Sequence, residues 1–433
     1  MARKYGLKKA KSESTPRALY LWPLFAVLIK FIISINLNGH IWLGADGESY
    51  LKGAQAIFDN GILAKDGVLQ YWPAGYSLII ALLGKVFRSY ALLSLGLIQS
   101  ILFSFATYFF TSQLKRTKLS KFSAWISFLI SFNPTLSLSS LVVGYESMVA
   151  SLLMISLGVI FRTNFAKNNL RAIVIFSSAN SLIAFVQPRY LLVSFALSVF
   201  WIYRIKNTES RLRLIVISLL LISVLPSLLI VRNHAAVGLN VISTNLGQTM
   251  NIGAGEHASG GYSGVGGGVK CRPDARTDNA LVFCVTKWYL TNPAQFLRLA
   301  WNKSIYFWSP WSGPIANGTM ARNPWLKMDP VVAFGKTESG QRLVYGSFGR
   351  VTSSMWVIAN LFFLSLGLLT LFQASTESRH VAYLLAIPIL VSWLTSIATI
   401  GDHRFRLPII PFVIVCEVLG LERLLSFLQT RLK

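Results

Sequence analysis

Acidic residues are scarce in this chain, sixteen among 433 residues, and they are unevenly placed. Asp46, Glu48 and Asp59 fall within GADGESYLKGAQAIFDNG, residues 44–61, and Asp66 follows a few positions later. Glu146 heads an apolar run in VVGYESMVA. Three arginines also sit beside apolar runs: Arg189 in QPRY, and Arg404 and Arg406 in GDHRFRLP. A carboxylate held near a hydroxyl can take its proton, and an arginine fork can hold an oxyanion. Plainer roles are open to each. The loop acids can be solvated, Glu146 can complement a helix N-terminus, and the arginines can anchor with their stems along apolar surface. Lys30, inside an apolar run, can snorkel in the same way.

The elements that must position these residues follow from composition. Hydrophobic residues make up 53% of the chain and charged residues only 13%, with a mean hydropathy of +0.54. That is too apolar for a soluble globular protein. Apolar runs recur at about the 17–25 residues that cross a bilayer as helix. Backbone groups in lipid must bond internally, so an all-α polytopic membrane protein is expected. Nothing alternates at period two over many segments, which argues against a β-barrel. The first apolar run is longer than a signal-peptide core and lacks a small-residue cleavage pattern, so it is read as retained.

A net charge of +25 at first suggests nucleic acid, but its distribution does not. Lysine and arginine cluster in short segments between apolar runs, at 3–17, 115–121, 162–171, 204–213 and 423–433. Such clusters mark cytoplasmic loops. They favour contact with anionic lipid over nucleic-acid binding. If WPAGYSLIIALLGKVFRSY, residues 72–90, crossed the membrane, the basic loop at 115–121 would fall outside. Read as an interfacial helix, it leaves every basic loop inside. The expectation is about ten spans, near 19–38, 91–112, 122–139, 146–161, 172–187, 190–203, 213–231, 351–373, 380–400 and 408–424. Both termini are then cytoplasmic, at a cell (plasma or inner) membrane. The chain divides into a membrane module at 1–231 with an outer loop at 39–90, a long outer loop at 232–349, and C-terminal membrane helices at 350–433.

The long outer loop contains GAGEHASGGYSGVGGG, residues 253–268, whose glycines rule out a helical period. His257 there can touch an acceptor or simply be a loop residue. Aromatics follow in KSIYFWSPWSG, residues 303–313, and suit an interface. Cys271 and Cys284 share this loop and can bridge in an oxidising compartment or remain thiols. Cys416 lies mid-span as a packing residue. There is no cysteine–histidine zinc spacing, Walker loop or Rossmann fingerprint, so neither metal nor cofactor is expected.

DGESYLKGAQAIFDNG followed by QYWPAGYSLIIALLGKVF resembles the first outer loop of the GT-C membrane glycosyltransferases, in the branch of the protein O-mannosyltransferases and aminoarabinose transferases. FNPTLSLSSLVVGYESMVA, NLGQTMNIGAGEHASGGY and GDHRFRLPIIPFVIV resemble later family segments in the same order. Two positions depart from the family: Asp46–Gly47–Glu48 replaces an Asp–Glu pair, and Trp72–Pro73 replaces Pro-Pro. The resemblance implies transfer of a sugar from a polyprenyl-phosphate donor to a glycan, lipid or protein acceptor. It implies Asp46 and Glu146 as catalytic carboxylates, Arg404, Arg406 and Arg189 at the donor phosphate, and Glu48, Tyr50 and His257 against sugar or acceptor. The alternative is a polytopic lipid or glycan transporter or flippase, which would place charges near the midplane.

Overall fold

Helix α1 (Ala18–Asn36) turns Leu24, Leu28, Phe31 and Ile35 outward and buries Lys30 and Ser34. That is the reverse of a soluble helix and is what lipid on the outside demands. Lys30 does not snorkel: its amine is buried over the Phe103 ring at 4.4 Å, a cation–π contact. This computed structural model describes residues 17–36, 41–43, 46–115, 117, 119–163, 170–205, 211–261, 268–271, 277–309 and 347–431. Leu37 and Asn38 of the first expected span, the basic residues before Arg17, and Arg116, Lys118, Lys167 and Lys206 lie outside the described residues.

The described chain is almost entirely helical. Helices α2 (Gly47–Asn60), α3 (Gly67–Tyr71) and α4 (Ala74–Phe87) follow α1, and α5 (Ala91–Leu114) comes next. A tight turn at Arg88–Tyr90 joins α4 to α5. The middle of the chain gives α6 (Ser123–Ser131), α7 (Pro134–Leu138), α8 (Glu146–Arg162), α9 (Leu170–Val186), α10 (Leu191–Tyr203) and α11 (Arg211–Val237). Three helices, α12 (Leu246–Ile252), α13 (Asp278–Thr291) and α14 (Pro293–Trp308), stand between α11 and the last long helices. Those are α15 (Ser347–Ala374), α16 (Thr376–Ala398) and α17 (Ile410–Arg431).

Among the described residues, five helical stretches are long and apolar enough to cross a membrane: 18–36, 74–114, 211–237, 354–374 and 376–398. The expected span at 122–139 does not form as one helix. Its first piece, α6, has nine residues, about 13.5 Å at 1.5 Å per residue. Pro134 then forces Asn133 out of helical geometry, to ψ 114°. The Asn133 side chain accepts from the Leu136 N–H at 2.9 Å and starts α7 afresh. Such irregular backbone is tolerated at this depth when protein surrounds it, and Leu136, Leu138 and Leu141 are buried.

Two close approaches hold the bundle. A Cβ on Gly367 in α15 would overlap the Cys416 carbonyl in α17, and one on Gly420 in α17 would overlap the Phe363 carbonyl in α15. Small residues of this kind let membrane helices touch backbone to backbone.

The only pairing of extended backbone among the described residues is short. Strands β1 (Trp42–Leu43) and β2 (Val142–Val143) run parallel, with Trp42 opposite Val142 and Leu43 opposite Val143. Helices α2 and α8 therefore begin side by side.

Candidate active site

That parallel register places the two carboxylates. Asp46 stands three residues beyond Leu43 and Glu146 three beyond Val143, so each opens its helix at the same level. Gly47 is required where a Cβ would meet the Val143 carbonyl oxygen at 2.8 Å. This accounts for the glycine between Asp46 and Glu48. A buried network fixes the β2 side. The Tyr76 hydroxyl donates to Gln99 Oε1 at 3.1 Å and accepts from the Gly144 N–H at 3.1 Å. Gln99 Nε2 then donates to the carbonyls of Ser140 and Val142 at 3.2 and 3.1 Å.

The cation arrives from the other end of the chain. Between α16 and α17 a 3₁₀ turn, His403–Ile409, begins at Asp402, whose side chain accepts from the Arg404 N–H at 2.9 Å. Arg404 Nη1 lies 2.8 Å from Asp46 Oδ2, and its Nε lies 3.6 Å from Glu146 Oε1. All three side chains are more than 90% buried. The contact with Asp46 is close, but the N–H does not point along it as in an aligned hydrogen bond. It is an ion pair first. Asp46 caps α2 by position only, since its side chain bonds no backbone N–H of that helix.

The surroundings are polar and sparsely bonded. Among the described residues, Asp46 Oδ1, Tyr50 Oη, Tyr145 Oη, Asp402 Oδ2 and His403 Nδ1 are buried without a hydrogen-bond partner. Buried polar groups are normally satisfied, so such a concentration around one ion pair makes this the candidate site. Burial pushes the Asp402 carboxyl up to about 6, against the pull of the Arg404 guanidinium and backbone N–H. Burial pushes His403 down to about 3, helped by Arg406 and Arg404, so the imidazole is neutral. Burial works against the Arg404 charge, yet Asp46, Tyr145, Glu146 and Asp402 together hold its pKa well above the usual value.

No family model matches the chain, and no curated protein matches it. Among solved structures, the chain is similar to the archaeal oligosaccharyltransferase AglB from Archaeoglobus fulgidus, in complex with an inhibitory peptide and a dolichol-phosphate. The identity is 14% and the TM-score 0.48, over 95% of this chain and 51% of that one. The chain thus spans about half the length of the solved structure it matches.

The other residues singled out from the sequence lie at different distances from this centre. Tyr50 is adjacent, buried edge-on against Tyr76 at 5.0 Å between ring centres and against Trp72 at 6.1 Å. Burial, then the Asp46 charge, raises its phenol well above the usual value. Arg189 Cζ lies over the Phe405 ring at 3.6 Å from its centre, and the guanidinium donates to Thr399 Oγ1 at 2.9 Å. Arg406 turns away and donates to the carbonyls of Trp308 at 2.5 Å and Ser309 at 3.0 Å. Glu48 is exposed and paired with Lys52 at 3.0 Å. His257 is exposed on the glycine-rich loop. Of the aromatics expected at the interface, Phe307 and Trp308 are instead buried in the core. Trp311 lies outside the described residues. Cys271 and Cys284 form a disulfide.

Sequence reasoning passed over Tyr145, Asp402 and His403, although each is next or nearly next to a residue it named. It also passed over Lys303, for which the sequence offers no signal. The buried Lys303 amine donates to Tyr289 Oη at 2.9 Å and to the carbonyls of Ile397 and Thr399 at 2.9 and 2.8 Å. It thereby fixes α14 to the end of α16, whose Thr399 also receives Arg189.

Proposed function

We propose that the protein is a membrane glycosyltransferase of the GT-C type. It moves a sugar from a polyprenyl-phosphate donor to a hydroxyl-bearing acceptor on the outer face of the membrane. One observation carries this reading: Asp46, Glu146 and Arg404, from three distant parts of the chain, meet in one buried centre at the mouth of two helices. Charges crowded at one end of the bundle suit this chemistry better than a transporter, which needs them near the midplane.

Asp46 accepts the acceptor's hydroxyl proton as the oxygen bonds to the anomeric carbon. The bond from that carbon to the phosphate oxygen breaks, and the polyprenyl phosphate leaves with the electron pair. Arg404 Nη1, 2.8 Å from Asp46 Oδ2, supplies the counter-charge that a buried carboxylate needs. Glu146 shares that cation. Developing negative charge on the leaving phosphate calls for a guanidinium. Arg404 is engaged by carboxylates and Arg406 by two carbonyls, so Arg189 is the first candidate, with Arg404 reaching it as the pair loosens. Tyr50 lines the sugar side, and His257 and Glu48 lie further out toward the acceptor. The first outer loop, 39–90, and the segment 232–349 face outside, the chain crosses about ten times, and both termini are cytoplasmic.

The test is a transfer assay on the purified protein in detergent, with a radiolabelled sugar on polyprenyl phosphate and extracted cell-envelope acceptors. Release of polyprenyl phosphate coupled to label in the acceptor is expected. Translocation of the labelled donor across a proteoliposome bilayer, with no release, would establish the flippase instead.

A further inference from the structure

Helices α13 and α14 form a hairpin about Asn292 and Pro293, with Tyr289 against Phe296 at 4.9 Å, while Val285 of α13 is buried with Met250 of α12 and Ala254. Their remaining faces expose large apolar residues. Phe283 is 72% exposed, Leu290 79%, Leu297 67% and Trp301 70%. On each helix these residues are one or two turns apart on one face. A soluble hairpin with such a face would aggregate.

Three contacts set the level of this hairpin. Tyr289, next to Leu290, donates its hydroxyl to the Ala398 carbonyl at 3.3 Å. Lys303, two residues from Trp301, donates to the carbonyls of Ile397 and Thr399 at 2.9 and 2.8 Å. Ser304 Oγ accepts from the indole N–H of Trp393 at 2.9 Å. Trp393 lies five residues inside the end of α16, or about 7.5 Å down a helix that crosses the membrane. Leu290 and Trp301 are thus held at the boundary between hydrocarbon and head groups, where tryptophan concentrates. The apolar face is continuous with the lipid-facing side of α16, where Leu390 and Leu394 flank Trp393 and are exposed. Lys287 and Arg298 are also exposed on the hairpin, within a turn of Leu290 and Leu297. Cations at that height match anionic head groups.

We propose that the α13–α14 hairpin is a membrane-dipping anchor. Phe283, Leu290, Leu297 and Trp301 are seated in the adjacent lipid leaflet, with Lys287 and Arg298 at its phosphates. On the topology proposed above this is the outer leaflet; contact with lipid does not depend on that topology or on the reaction. The Cys271–Cys284 disulfide ties the end of the glycine-rich loop to this anchor. The same loop meets the site: Gly260 accepts from the Gly401 N–H at 2.9 Å, one residue before Asp402. The anchor thus sets the height of that loop above Asp402 and Arg404.

The experiment places an environment-sensitive fluorophore on Leu290→Cys and on Trp301→Cys in a Cys416→Ser background, with the native disulfide intact. The full chain is reconstituted in nanodiscs containing anionic lipid. A label on Leu220→Cys, exposed in the middle of α11, serves as the lipid benchmark. Both hairpin labels should lose emission to a nitroxide placed near the head of the acyl chain and keep it against aqueous iodide. The Leu220 label should instead respond most to a nitroxide deep in the chain. Loss to iodide, or to neither quencher because another part of the protein covers the face, would overturn the proposal. Enzymatic activity does not enter the readout, so its failure and that of the glycosyltransferase reading are distinguishable.

Discussion

Replacing Asp46 with asparagine separates two roles that the ion pair confounds, catalytic base and counter-ion. At 2.8 Å, an effective dielectric constant of about 20 gives roughly 6 kcal/mol of gross attraction. Glu146 at 3.6 Å supplies roughly 5 kcal/mol on the same scale, and Asp402 lies beside it. Arg404 in the Asp46→Asn variant therefore stays neutralised. The net loss of stability is about 1.5–3 kcal/mol, that of one charge-assisted contact, so the variant folds and inserts. Transfer should nonetheless fall about 10²–10⁴-fold, the usual contribution of a general base. Removing the cation has a different result. Arg404→Met strands three buried carboxylates and should destabilise the fold by about 3–5 kcal/mol. The double variant decides between the roles. If Asp46 only balanced Arg404, deleting both charges would restore stability and transfer together. If Asp46 is the base, stability partly recovers while transfer stays lost. The assay is single-turnover transfer from saturating donor, with the thermal midpoint of each variant measured alongside. Wild-type turnover in Asp46→Asn, or recovered turnover in the double variant, would refute the reasoning.

Other expectations follow from the same geometry. Gly47→Ala forces a methyl group against the Val143 carbonyl and should destabilise by about 1–3 kcal/mol, with transfer lost. A wild-type melting curve and rate would exclude the close register of α2 and α8. Because burial raises the Asp402 carboxyl to about 6, folding takes up a proton there. Its contribution to stability grows as pH falls from about 6 toward the unfolded value near 3.9. The rise in thermal midpoint between pH 7 and pH 4.5 should be smaller in Asp402→Asn than in wild type, and equal slopes would deny the shift. Reducing the disulfide, which joins positions 13 residues apart, should destabilise the segment by about 3 kcal/mol. Thermolysin nicking near Gly253–Cys271 should then accelerate, and an unchanged digestion pattern would show that the loop is held by other contacts.

The apolar runs were legible because lipid imposes a simple rule on length and hydropathy. Runs at 91–112, 213–231 and 351–373 correspond to α5, α11 and α15 with ends displaced by a few residues. The break at Asn133–Pro134 was written in the sequence, but hydropathy averages over a single proline. Asp46, Glu146 and Arg404 were each visible as charges out of place. Their convergence was not, since the register of β1 on β2 rests on two residue pairs and no local pattern announces so short a ladder. Charge sign alone assigned the acids and the arginines to separate tasks. Only the fold brings Arg404 onto the carboxylates and turns Arg406 toward the end of α14.

The distance along the chain between the members of the ion pair has a consequence for biogenesis. Asp46 is made soon after α1, whereas Arg404 is synthesised 358 residues later. At bacterial-to-eukaryotic elongation rates of about 5–20 residues per second, that interval is roughly 20–70 s. During it the nascent protein holds Asp46 and Glu146 near one another with no cation between them. The two acids must stay hydrated until the final helix pair is released from the insertion machinery. Arrival of Arg404 supplies that cation and completes the ion pair with Asp46. A ribosome stalled before the last helix, or a protein clipped after α16, therefore leaves Asp46 and Glu146 without Arg404, and the ion pair is complete only when insertion is finished.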